Sequence, residues 1–105
     1  MVDEKTVKEA ADRLLRAAPG SKVVLFGSYA RGQASEGSDL DFLVVEPEVR
    51  DAAAEMVRLR QVLRDLPVAV DVLVVSRERF EYWRDTPNTV ISRAAREGTV
   101  YEPVG

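Results

Sequence analysis

The chain has 105 residues, 46% of them hydrophobic, with 15 basic and 18 acidic side chains for a formal net charge of -3. That length supports one core, so residues 1–105 are read as a single minimal domain, and the slightly acidic balance lacks the basic footprint that binding a nucleic-acid duplex requires. With no cysteine and no histidine, disulfide scaffolds and thiolate or imidazole metal sites are excluded, and any metal must be a hard cation held by oxygen, such as Mg²⁺, Mn²⁺ or Ca²⁺.

The N-terminus carries charge where a secretory signal needs an apolar run, and no segment approaches the ~20 apolar residues of a membrane span. A soluble, cytoplasmic protein with no membrane contact is expected. Asp3 is placed to cap a first helix in which Val7, Ala10, Ala11, Leu14, Leu15 and Ala18 recur at helical spacing, with Pro19-Gly20 as its stop. A short β-rich run, Lys22 to Phe26, breaks at Gly27-Ser28. Tyr29 to Gly32 is read as a turn or two of helix, and Gln33 to Ser38 as a polar loop.

Asp39 to Val45 alternates as a strand: Leu40, Phe42 and Val44 on one side, Asp39, Asp41, Leu43 and Val45 on the other. Pro47 ends it, and Val49 to Leu66 is expected to form the longest helix. Val68 to Val75 is a further strand, apolar except for Asp71. Ser76 is a cap for a helix from Arg77 to about Asp85, in which Phe80 and Trp83 are available for burial. Thr86-Pro87 reads as an N-cap with proline at the first helical position of a last helix closed by Gly98. Thr99 to Tyr101 is placed as a short edge strand. This order predicts an α/β (α+β) fold, a small mixed three- to four-stranded sheet with helices packed mainly on one face.

Three carboxylates stand out. Asp39 and Asp41, two apart on one strand, point the same way. Asp71 interrupts an otherwise apolar strand, where a bare carboxylate costs several kcal/mol or so unless it is paired or metal-bound; the other reading is an edge-strand residue that faces water or pairs with an arginine. If the two strands are neighbours, all three converge. Anions that close repel and raise one another's pKa unless a divalent cation neutralises them. Upstream, Gly27 lets the backbone approach a ligand, and Ser28 with neighbouring N–H groups suits phosphate. Together these halves describe a nucleoside triphosphate and metal site for phosphoryl or nucleotidyl transfer. A calcium loop counted from Asp39 fails, since Val44 falls where the turn glycine belongs and Arg50 where the bidentate glutamate belongs.

The string G-S-Y-A-R-G, with S-D-L-D-F-L-V-V after it and an aspartate on a later strand, resembles the signature of the DNA polymerase β-like nucleotidyltransferase superfamily. In so short a chain it is most similar to the minimal, MntA-like antitoxins paired with HEPN-domain toxins. The resemblance implies a nucleotidyltransferase fold, two Mg²⁺ ions with Mn²⁺ as an alternative, and transfer of AMP from ATP to a tyrosine hydroxyl of the partner toxin. It also implies roles: Asp39 and Asp41 hold both metals, Asp71 completes the catalytic metal site and helps deprotonate the acceptor, and Gly27 and Ser28 hold the triphosphate. Arg31, in the same string, is either a phosphate contact or a structural pair. Two other readings stay open: an antitoxin that neutralises its toxin by binding alone, and a nucleotidyltransferase acting on a small hydroxylated molecule. Tyr82 and Trp83 are read as core or interface residues, and Arg58, Arg60 and Arg64 as a solvated face, with steering of a nucleotide or an acidic partner as the other reading.

Overall fold

A computed structural model describes residues 4–27 and 39–102. Its elements in chain order are α1 (Glu4–Ala17), β1 (Lys22–Phe26), β2 (Leu40–Glu46), α2 (Ala52–Val62), β3 (Val70–Ser76), α3 (Arg77–Trp83), α4 (Val90–Glu97) and β4 (Thr99–Tyr101). The four strands form one mixed sheet in the order β3-β2-β1-β4. β1 pairs antiparallel with both β2 and β4, whereas β2 and β3 run parallel. A parallel pair needs a crossover rather than a hairpin, and α2 supplies it.

Alternation along the strands gives the sheet two buried faces. On one, Val23, Leu25, Leu40, Phe42, Val44, Val72 and Val74 meet the apolar stripes of the two longer helices, α1 (Val7, Ala10, Ala11, Leu14) and α2 (Leu59), together with Leu63 just beyond α2. On the other, Val24, Leu43 and Val45 meet Phe80 of α3 and Ala94 of α4. Most of the helical cover is therefore on the first face, with two short helices as a thinner second layer. Phe42, Leu14, Leu40 and Leu59 are fully buried, each contributing about 1.5–3 kcal/mol by leaving water.

The expected ends of β1 and β4 and the capping of α3 by Ser76, which accepts from Arg79 N at 3.1 Å, match the structure. Two helix boundaries are corrected. α2 spans 11 residues rather than residues 49–66, and α1 with 14 is longer. Asp51 caps α2 through Ala54 N (3.1 Å), and the Leu63 N–H turns back to Arg60 O (3.1 Å) at its other end. Val49 and Leu66 keep the apolar period because they still pack on the core, from outside the helix. The last helix begins not at Thr86-Pro87 but at Val90. Asn88 adopts a left-handed φ of 68° that no helix continues through, and Thr89 takes over as cap, accepting from Ser92 N at 3.0 Å and donating to Thr86 O at 2.9 Å. The expected Asp3 cap and the expected structure over residues 29–38 lie outside the described residues.

Candidate functional site

Asp39 immediately precedes β2 and is exposed; Asp41 is the second residue of the strand and half-buried. The register of the parallel pair, anchored by Leu40 N donating to Ala69 O at 2.9 Å, sets Asp41 directly beside Asp71, and the antiparallel register sets it beside Phe26 on its other flank. Partners in register project to the same side of a sheet, so Asp41 and Asp71 share a face. The adjacency on which the sequence argument depends is thus present.

Gly27, which follows Phe26, completes the arrangement from β1. Its φ of +80° is one that side-chain-bearing residues rarely adopt, and a Cβ there would stand 2.6 Å from Asp41 Oδ2. The glycine is required twice over, for the turn and for the space beside the carboxylate. Ser28 and Arg31 lie outside the described residues.

Burial raises the pKa of Asp41, and the negative charges of Asp71 and then Asp39 push it in the same direction. Burial is the larger cause, and the two neighbouring carboxylates add to it. Of the two readings of Asp71, the edge-strand residue paired with an arginine is the one found, rather than a buried charge: its side chain is 49% exposed on β3, which is an edge strand among the described residues. The pairing is with Arg60, whose Nη2 lies 2.5 Å from Asp71 Oδ1 and 3.4 Å from Val72 O. Arg60 sits on α2, under the opposite face of the sheet, and reaches Asp71 around the open edge of β3. Its place in the sequence shows only a charge on the solvent side of a helix.

The donor set suits a hard divalent cation, being all carboxylate oxygen. Among the described residues, no three acidic side chains stand close enough to hold a cation as they are arranged, and Asp71 is engaged by Arg60. Closure on an ion therefore requires these carboxylates to come closer together.

A second acidic cluster escaped sequence reading. Glu46, the last residue of β2, is 9% exposed and sits beside Glu55 and Arg58 of α2. Burial and a hydrogen bond to Glu55 push its pKa up to about 7, while the Arg58 guanidinium, 2.6 Å from Glu55 Oε1, with the hydrogen bond from Glu46, holds Glu55 down to about 2. An acidic residue closing an apolar strand was the available signal. An open groove of about 660 Å³, lined in part by Arg50, Val75, Arg79, Tyr82 and Trp83, lies at the same far end of β3 and takes in none of Asp39, Asp41 and Asp71.

Residues 5–100 match the family described as Nucleotidyltransferase domain. A Methanocaldococcus jannaschii protein, provisionally named a protein adenylyltransferase, is 35% identical over 82 residues, which are 76% of this chain and 80% of that one. Among solved structures, a provisionally named nucleotidyltransferase from Sulfolobus solfataricus superposes with a TM-score of 0.62 at 21% identity, over 92% of this chain and 77% of its own. A toxin-antitoxin structure with AMP-PNP superposes with a TM-score of 0.64 at 22% identity, over 97% and 75%, and an MntA-HpeT toxin-antitoxin mutant with 0.63 at 20%, over the same shares. These structural likenesses speak to the fold, and the family match spans nearly the whole chain. No helix among the described residues is long and apolar enough to cross a membrane. The chain belongs to the nucleotidyltransferase-domain family and is a nucleotidyltransferase.

Proposed function

We propose that the enzyme transfers AMP from ATP to a hydroxyl of a partner protein in the cytoplasm, the partner being the HEPN-type toxin of a toxin-antitoxin pair and the acceptor a tyrosine. The observation that carries the chemistry is Asp41 held abreast of Asp71 with Gly27 against its carboxylate. The relatives support this choice of donor and of a protein acceptor: one is named for protein adenylyl transfer, another is a toxin-antitoxin structure with AMP-PNP.

In this reading Asp39, Asp41 and Asp71 would hold two Mg²⁺ ions, or Mn²⁺ in their place. Such ions neutralise phosphate charge and favour in-line displacement at the α-phosphorus. The chain's own residues do the rest. Gly27 keeps the turn after β1 open beside Asp41, so that the triphosphate can be bound close to the backbone, with Ser28 and Arg31 as its further ligands. Asp71 offers Oδ2 on the rim of the sheet, where an acceptor hydroxyl can approach from outside and give up its proton as its oxygen bonds to phosphorus and pyrophosphate departs.

Mass spectrometry of the partner toxin after incubation with the enzyme, ATP and Mg²⁺ tests this directly. The expected result is a mass gain of one or more AMP units on a tyrosine. No adduct with any of the four nucleoside triphosphates overturns the catalytic reading. A second reading has one observation in its favour, the engagement of Asp71 by Arg60: the protein neutralises its toxin by binding alone. A doubly substituted chain, D39N with D41N, separates them, because it loses neutralisation under the first reading and keeps it under the second.

A further inference from the structure

We infer that Arg60 is the resting-state counter-cation of the carboxylate cluster, standing in for a divalent ion and yielding Asp71 Oδ1 when that ion binds. The inference rests on the reading of Asp39, Asp41 and Asp71 as the metal-binding set. The β2–β3 register sets the like charges of Asp41 and Asp71 side by side, with Asp39 two residues before Asp41, and like charges so placed repel. Among the described residues, the cation in contact with that set is Arg60, at 2.5 Å from Asp71 Oδ1.

Its placement fits a ligand that comes and goes. Leu59, next to it in α2, is fully buried, so the base of the arginine is fixed while its end is free to move. The guanidinium and its partner are 47% and 49% exposed, a range in which an ion pair is weak and easily exchanged. Val72 O, on the open edge of β3 and 3.4 Å away, is a second acceptor on which the displaced guanidinium can rest. A buried pair in this position would block the site; a half-exposed one sets the affinity at which an ion displaces it.

Mn²⁺ binding, measured by electron paramagnetic resonance or calorimetry on the intact chain, tests this without any need for turnover. Removing the competing charge with R60Q is expected to tighten Mn²⁺ binding roughly three- to ten-fold, the range for a charge a few ångström from a divalent ion in a half-exposed, screened site. R60K keeps the charge and is expected to stay near the wild-type affinity. R64Q removes the same charge from an exposed position beyond the end of α2 and is expected to leave the affinity unchanged. Metal-free R60Q should melt below the wild type, with the gap closing at saturating Mn²⁺.

If R60Q binds Mn²⁺ equally or more weakly while the wild type binds it well, Arg60 is not a competitor, and the inference falls while the metal reading stands. Equal tightening by R64Q also overturns it, since the effect is then one of overall charge. If the wild type binds no Mn²⁺ at millimolar concentration and D41N changes nothing, the metal reading falls and takes the inference with it.

Discussion

β2 carries a carboxylate near each end, and the fold treats the two in opposite ways. Asp41 sits at the open end, beside other acidic groups and beneath a glycine that keeps space against it. Glu46 sits at the closed end, buried against α2, where Glu55 and Arg58 meet it. Both carboxyls are pushed upward in pKa by burial and by a like charge. At the closed end an arginine whose Nε and Nη2 reach both oxygens answers the charge of Glu55, and burial favours the neutral form of Glu46 beside it. At the open end Asp71 has a single arginine nitrogen at one oxygen and half its surface in water. A carboxylate cluster built only for stability resembles the first; one left able to take a ligand resembles the second.

The comparison breaks most visibly if Asp41 proves to be structural. D41N is expected to lower nucleotidyl transfer on the order of 10³-fold, about 4 kcal/mol of transition-state stabilisation, which is the scale of losing one metal-ligating charge. Its stability should hold or rise at neutral pH. The folded pKa of Asp41 lies above its ordinary value, so its ionisation weakens the fold as pH rises, and the amide removes that contribution. Transfer assays with labelled ATP, run beside urea melts, check both halves. A variant that unfolds, or one that turns over normally, would show the two ends of β2 to be alike.

Gly27 sharpens the same contrast from the neighbouring strand. G27A forces a side chain into a φ of +80° and sets its Cβ 2.6 Å from Asp41 Oδ2. The backbone strain is about 1–2 kcal/mol, and the carboxylate must also move. The expected outcome is a fall in Tm together with a loss of transfer on the order of 10-fold or more, the scale for misplacing a reacting group. A drop in Tm with transfer intact would mean that the glycine serves the turn alone.

How far these ends could be read beforehand depended on distance along the chain. Asp39 and Asp41 are two apart, and strand alternation alone puts them together. The breaks at Gly27 and Gly98 and the cap at Ser76 are local for the same reason, each decided within a few residues. Asp71 was legible as an anomaly with two readings, a buried charge or an edge-strand residue paired with an arginine, and the choice between them depends on strand order, which no local pattern carries. Arg60 is 11 residues from Asp71, and its contact exists only because α2 lies close enough to the rim of β3 for a long side chain to reach around it. Thr86-Pro87 carried a valid capping signal that lost to Thr89, three residues on, once Asn88 had turned the chain.

The smallest effect is expected at the closed end, and it tests whether the proton there is real. Glu46 has a folded pKa of about 7 against an ordinary 4.5, so between those values the native state holds a proton that the unfolded state has lost. Stability from this residue is fully present below pH 4.5 and declines as pH rises through 7. Glu55 runs the other way: held down to about 2, it contributes stability above pH 4.5 that is lost as pH falls toward 2. E46Q keeps a hydrogen-bond donor toward Glu55 and cannot ionise, so it removes the decline and leaves the Glu55 arm. Urea melts of both proteins at pH 5.5 and pH 8 should show E46Q gaining about 1 kcal/mol on the wild type across that interval, less than the full shift because Arg58 and solvent offset part of it. If the difference between the two proteins is the same at both pH values, no proton is held at Glu46. The two ends of β2 would then differ in access to solvent alone, and the case for Asp41 as the functional end would rest on its neighbours Gly27 and Asp71.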